Sequence, residues 1–168
     1  MQPLKFTHIK KSKMKKGKIV ALNIDKAIDA WNDKNPTLLP MSRNRVAKEA
    51  GFASKQIYAW KSTEPPQWVN YLEVAFTKLE TNLEGIVERE NGVIVRVNID
   101  NAIKNWNDKN PDKTLQKRKE IAIEMGCKLQ LFSDWKIKTV PKWIIVLDNI
   151  LKILECDFDG ILERESLW

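Results

Sequence analysis

The sequence predicts a mainly α-helical protein made of two copies of one helical unit joined by a short β-hairpin. Three observations predict it. Gly17 to Glu90 aligns with Gly92 to Glu165 at a constant offset of 75, with 30 identities in 74 positions and no gap. Within each copy, apolar residues recur at helical spacing between capping and breaking residues. At the joint, Asn91-Gly92 supplies the positive φ angles of a two-residue hairpin turn. Two copies are too few for a solenoid, which needs about three or more repeats to bury a continuous core. The expected organisation is a basic tail over 1–16, one unit over 17–91 and a second over 92–168.

In the first unit, Ile24, Ala27, Ile28 and Trp31 fall at i, i+3, i+4 and i+7 behind Asn23, an N-cap residue, so a helix begins there and ends near Asn35-Pro36. Ser42 is a second cap candidate, opening a short helix from Arg43 to Ala50 that Gly51 stops. A third helix covers Ser54 to Lys61. Pro65-Pro66 breaks it, and Pro66 suits the first turn of a fourth helix, where no amide donor is needed. Trp68, Leu72, Ala75, Phe76, Leu79 and Leu83 give that helix a buried stripe. The second unit repeats the plan through Ile99, Trp106, Ile121, Phe132, Leu147, Leu151 and Leu154. Strands are expected at Ile19 to Leu22, Ile86 to Glu90, Val93 to Val97 and Ile161 to Glu165. Short strand pairs are marginal alone, so the expectation is antiparallel pairing of the first and last strands within each unit, the hairpin joining the two pairs into one small shared sheet.

Composition narrows the function. With 168 residues, 43% of them hydrophobic, the chain can bury one medium core or two small ones. No apolar run approaches the roughly 18 residues that span a bilayer, and Met1 to Gly17 lacks the apolar stretch of a secretory signal. A cytoplasmic protein without a membrane partner is expected. The two cysteines, Cys127 and Cys156, make no disulfide framework, and the single His8 leaves hydrolytic and zinc chemistries short of parts. There is no glycine-rich phosphate loop, and Asp157, Asp159 and Glu163 lack the spacing of a calcium loop. No enzymatic activity, cofactor or metal is expected. Six of the seven tryptophans fall into repeat-equivalent pairs and read as core packing; Trp168 is unmatched and suits covering the sheet or a neighbouring chain.

The net charge of +7 is unevenly placed. Lys5, Lys10, Lys11, Lys13, Lys15 and Lys16 put +6 in the tail, while the remainder is nearly neutral. The tail reads either as a solubilising terminus or as an arm that follows nucleic-acid phosphates. A second local excess runs from Arg43 to Lys61, with five basic residues against one acidic, Glu49.

That excess coincides with Arg43-Asn44-Arg45-Val46-Ala47-Lys48-Glu49-Ala50-Gly51-Phe52-Ala53-Ser54-Lys55-Gln56-Ile57-Tyr58-Ala59-Trp60. Here a small Ala47 permits a close crossing, Gly51 accepts a turn conformation, and Ile57 and Trp60 lie three apart on one side. The stretch resembles the helix-turn-helix of the phage repressor and Cro-like family in Ala47, Gly51, Phe52, Ile57 and Trp60. The second unit resembles it in Ala122, Gly126, Cys127, Phe132 and Trp135. The hairpin departs from that family, which continues there in helix or loop. The resemblance implies two tandem helix-turn-helix bundles. It also implies a third helix that enters the major groove of double-stranded DNA, as in dimers that bind half-sites roughly 34 Å apart.

On this reading Ser54, Lys55, Gln56, Tyr58 and Ala59 face the bases, since Gln pairs with adenine, Lys with guanine, and Ala or a Tyr ring meets a thymine methyl. Arg43, Arg45 and Lys61 suit phosphate, and Lys117, Arg118 and Lys119 offer the same in the second unit. Lys10, Lys11, Lys13, Lys15 and Lys16 form the arm. The second unit presents Leu129 and Leu131 where the first has Ser54 and Gln56, which suits a protein contact better than a groove. The functional expectation is a sequence-specific DNA-binding regulator, repressor-like and of phage or mobile-element type. It would act as a monomer with internal pseudo-symmetry or as a homodimer, the first unit reading and the second assisting. The alternative is an interaction module or inhibitor that reuses the scaffold to grip a protein. An accessory role in replication or recombination fits the same residues.

Overall fold

The computed structural model describes residues 16–166. Its elements run β1 (Ile19–Leu22), α1 (Ile24–Lys34), α2 (Arg43–Ala50), α3 (Lys55–Ser62), α4 (Gln67–Lys78), the single turn α5 (Leu83–Ile86), β2 (Val87–Glu90) and β3 (Val93–Val97). They continue with α6 (Ile99–Lys109), α7 (Arg118–Met125), α8 (Gln130–Ile137), α9 (Lys142–Ile153), a 3-10 turn (Phe158–Ile161) and β4 (Leu162–Arg164). The protein is mainly α-helical with short antiparallel strand pairs, as the sequence predicts.

The local signals act as their chemistry requires. Asn23 and Asn98 accept from the backbone of Lys26 and Asn101 at the starts of α1 and α6, and Ser42 accepts from Arg45 N at the start of α2. Ile24, Ala27, Ile28 and Trp31 are all buried, as are Ile99, Ala102, Ile103 and Trp106. Gly51 and Gly126 stop α2 and α7 in the left-handed region, at φ 93° and 80°, where a side chain would be strained. Asn91 and Gly92, at φ 52° and 80°, make the hairpin turn.

The strand pairing differs from the expectation. β2 pairs with β3 through the hairpin, and β1 pairs with β4, so the strands form two separate two-stranded sheets instead of one, and neither sheet joins the ends of a single repeat. The two are copies of each other. Val87↔Val97, Glu88↔Arg96 and Arg89↔Ile94 correspond at the offset of 75 to Leu162↔Leu22, Glu163↔Ala21 and Arg164↔Ile19, with the register break in the same place. The two-residue turn forces β2 onto β3, and pseudo-twofold symmetry then brings the chain's outermost strands together.

The helices interlock in the same sense. α9 packs on α2 and α4 packs on α7, so each repeat receives its fourth helix from the other. The 3-10 turn lies on α1, and α5 lies on α6. Across these contacts Trp31 Nε1 donates to Glu155 at 2.9 Å and Trp106 Nε1 to Glu80 at 2.9 Å. The carbonyls that end α2 and α7 are likewise met from the other repeat, Ala50 O by Asn149 and Met125 O by Asn70. One hydrophobic cluster runs through both repeats, with Leu22, Ile57, Leu72, Ile99, Phe132 and Leu147 wholly or almost wholly enclosed.

Candidate nucleic-acid interface

Between α2 and α3 the chain reverses at Gly51 with its hydrogen bonds satisfied: Gly51 N and Phe52 N both donate to Ala47 O at 2.9 Å. Ile57 is fully buried and pins α3 to the core. Trp60 is half-buried against Phe52, ring centroids 5.2 Å apart. What α3 turns outward is Lys55, Tyr58, Ala59 and Ser62, at i, i+3, i+4 and i+7. Of the residues expected to face bases, Lys55, Tyr58 and Ala59 are therefore exposed together, while Ser54 and Gln56 sit half-buried at the edge of that face.

The cations beside this face already hold carboxylates. Arg43 donates to Asp25 from Nε at 2.7 Å and from Nη2 at 2.5 Å, and Lys61 donates to the same carboxylate at 2.8 Å. The Arg43 hydrogen bonds, helped by Lys61 and opposed by desolvation, hold the Asp25 carboxyl down to about 2. Both cations flank the exposed Tyr58 ring, Arg43 at 5.6 Å and Lys61 at 6.0 Å from its centroid. Arg45 pairs with Glu49 at 2.9 Å. Two cations on one carboxylate leave a net positive charge fixed next to Tyr58, and Lys55 makes no ion pair among the described residues.

The second repeat builds the same triad. Lys136 donates to Asp100 at 2.8 Å, and Arg118 Nε lies 2.7 Å from Asp100 Oδ1, a charge contact off the hydrogen-bonding line. Arg118 also donates to Ser133 Oγ at 3.0 Å. Lys117 and Lys119 are exposed. From Arg118 to Lys136, however, four basic residues meet three acidic, a much weaker excess than five against one.

The expected pair of exposed leucines is half realised. Leu129 is exposed, but Leu131 is half-buried and packs against the core, because it lies one residue before the buried Phe132 on the flank of α8 that faces inward. Sequence reasoning passed over Ile123 and Ile137, which are 68% and 78% exposed. The alignment carried the signal. Lys48, Ser54 and Ser62 in the first repeat become Ile123, Leu129 and Ile137 in the second, so three surface positions turn from polar to apolar together.

The two third helices are joined by a line of aromatic rings. Trp60 meets Trp68 edge-on at 6.3 Å, Trp68 stacks on Trp143 at 5.4 Å and 11°, and Trp143 meets Trp135 at 5.8 Å. Trp68 and Trp143 are equivalent residues, so the stack lies on the pseudo-twofold axis and couples α3 to α8. Lys16 pairs with Asp159 at 3.1 Å; Lys10, Lys11, Lys13 and Lys15, like His8 and Trp168, lie outside the described residues.

Among the described residues no group of three or more His, Cys, Asp or Glu could hold a metal ion, and no helix is long and apolar enough to cross a membrane. No protein-family model matches the chain, and neither a curated protein nor a solved structure is significantly similar to it.

Proposed function

We propose that the chain is a cytoplasmic, sequence-specific double-stranded-DNA-binding protein, a repressor-like regulator of phage or mobile-element type. The first repeat reads the major groove and the second assists. What carries this reading is the outward face of α3: Lys55, Tyr58 and Ala59 stand in line on a helix clamped from behind by Ile57, inside a segment, Arg43 to Lys61, with five basic residues against one acidic. Lys55 suits guanine and the Tyr58 ring or Ala59 a thymine methyl, with Gln56 and Ser54 at the margin. Arg43 and Lys61, fixed by Asp25 next to Tyr58, suit phosphates beside that face, as does Arg45. The tail from Lys10 to Lys16 adds contacts without sequence preference.

The tryptophan line supports tandem use of the repeats, because it holds two helix-turn-helix units at a set separation as a dimer interface would. Unlike a homodimer, the pair has different reading faces, so its target is asymmetric. A second reading is favoured by one observation, the apolar replacements at Ile123, Leu129 and Ile137. These give the second repeat the character of a protein-contact surface.

Binding to random duplex DNA across a salt series is the deciding experiment. The expected result is an affinity that falls steeply with salt. Lys55→Ala should reduce discrimination among sites, and removal of residues 1–16 should weaken all sites alike. Absence of binding at low salt would discard the DNA reading and leave the protein-contact one.

A further inference from the structure

At the far end of α4 and α9 from the tryptophan stack lies a cavity of about 580 Å³. Its walls are repeat equivalents: Phe76 faces the position of Leu151, Leu83 that of Phe158, and Thr81 that of Cys156. The cavity therefore straddles the pseudo-twofold axis, with an apolar floor in which Phe76 and Phe158 meet edge to face at 5.3 Å.

Ion pairs that tie the repeats together hold its sides. Arg89 reaches Asp148 in the other repeat through two hydrogen bonds, at 2.7 and 3.0 Å, and also holds Glu84. Its equivalent, Arg164, holds Glu73 and Asp159 in the same way. These walls are rigid because each guanidinium is spanned by two carboxylates and donates as well to a backbone carbonyl, Gly92 O or Gly17 O.

The charges at the surface of the cavity do not balance. Five carboxylates line it, Glu73, Glu84, Asp148, Asp157 and Asp159, against three cations, Lys16, Arg89 and Lys152. With Arg164 counted behind Glu73 and Asp159, the acids remain in excess. Lys16 is taken by Asp159 and Lys152 by Asp148. Asp157 accepts only from Gly160 N at 3.0 Å and makes no ion pair among the described residues. Beside it, burial pushes the Cys156 thiol up to about 11, with the charge of Asp157 acting in the same direction and those of Lys34 and Lys26 against it. An anion is therefore repelled, and a neutral apolar molecule leaves the excess acid unmatched.

We propose that this axial cavity binds a small organic cation, an amine carried on an aromatic or aliphatic body, with the ammonium at Asp157 and the body against Phe76 and Phe158. The volume suits a ligand of drug-like size, and an apolar floor with few placed polar groups is the usual character of such sites. No residue of α3 or α8 lines the cavity. It stands at one end of the two helices whose other ends carry Trp68 and Trp143, so an occupant touches the elements that set the separation of α3 and α8.

The test uses the full chain, without nucleic acid, titrated with 4-phenylbutylamine and with 4-phenylbutyrate, which share a body and differ in charge. Methyl resonances of Leu83 and Leu151 are the readout. The amine should shift both saturably, the carboxylate should not, and Asp157→Asn should weaken the amine about fivefold while the folded spectrum is retained. No saturable shift with the amine, equal binding of the carboxylate, or an unchanged affinity in Asp157→Asn would each overturn the proposal. None of these outcomes depends on whether the protein binds DNA.

Discussion

Replacing Asp25 with asparagine keeps the shape of the side chain and removes the charge that Arg43 and Lys61 share. The amide oxygen still accepts a hydrogen bond, so the crossing of α1 with α2 and α3 is preserved. The face around Tyr58 gains one net positive charge. If Arg43 and Lys61 lie along phosphates, that charge acts by counterion release. The slope of log affinity against log salt should steepen by about 0.9 for one further neutralised phosphate, which between 50 and 200 mM salt means about 3.5-fold more affinity lost than in the parent chain. Fluorescence anisotropy of a labelled random duplex at four salt concentrations measures the slope. The protein supplies its own control, because Asp100 likewise lies between an arginine and a lysine, Arg118 at 2.7 Å and Lys136 at 2.8 Å. Asp100→Asn makes the same chemical change beside α7 and α8, where the basic excess from Arg118 to Lys136 is smaller than that from Arg43 to Lys61, and should move the slope less. An Asp25→Asn slope equal to that of the parent, with DNA still bound, would show that these cations do not face phosphate. A weaker affinity at low salt would refute the charge counting itself.

Two further outcomes follow from the packing and the ion pairs. The Trp68–Trp143 stack joins the repeats, so a double-mutant cycle of Trp68→Ala and Trp143→Ala, followed by urea unfolding, should give a coupling of about 1 kcal/mol; additive losses would mean the stack does not tie them. Asp25, Asp148 and Asp159 are all held below the usual carboxylate range, the last two because Arg89 with Lys152, and Arg164 with Lys16, outweigh the cost of burial. A carboxyl depressed in the folded state stabilises fully above its unfolded value of about 3.9, and that contribution is lost as the pH falls, for Asp25 down to about 2. Unfolding free energy should be level from about pH 5 to 7 and fall below about pH 4, less steeply in Asp148→Asn; an equally steep fall in that variant would exclude Asp148 as a contributor.

Much of this molecule was legible in the sequence because its signals are local. The caps Asn23, Ser42 and Asn98, the stop at Gly51 and the Asn91-Gly92 turn each act within a few residues, and the inward faces of α1 and α6 follow from period alone. The partners of the surface cations were not legible that way. Asp25 stands 18 residues from Arg43 and 36 from Lys61, and no spacing rule connects them. A different signal was present. Asp25, Arg43 and Lys61 are all unchanged in the second repeat, as are Trp31 with Glu80 and Arg89, whereas every residue from Phe52 to Ala59 differs from its equivalent. Positions identical between the repeats turn out to hold the scaffold together, and the outward face of α3 is where the repeats part. If α3 reads DNA as proposed, the diverged positions Lys55, Tyr58 and Ala59 rank ahead of Arg43 and Lys61 as the residues that would set specificity.

The strand pairing shows what a repeat implies when symmetry is followed to its end. Identical units can bury their strands within themselves or exchange them, and local sequence satisfies either arrangement. The tight turn at Asn91-Gly92 decides between them, since two residues leave β2 no choice but β3. That contact pairs the end of one repeat with the start of the next. In a closed twofold arrangement its counterpart pairs the end of the second repeat with the start of the first, which is β4 on β1. The same operation places α9 on α2 once α4 lies on α7. The α2–α3 and α7–α8 pairs are therefore each completed by residues from the other repeat, and each repeat packs its fourth helix on the other's second. Cutting the chain at the hairpin separates α2 from α9 and α7 from α4, so the α2–α3 and α7–α8 pairs stand or fall as one cooperative structure.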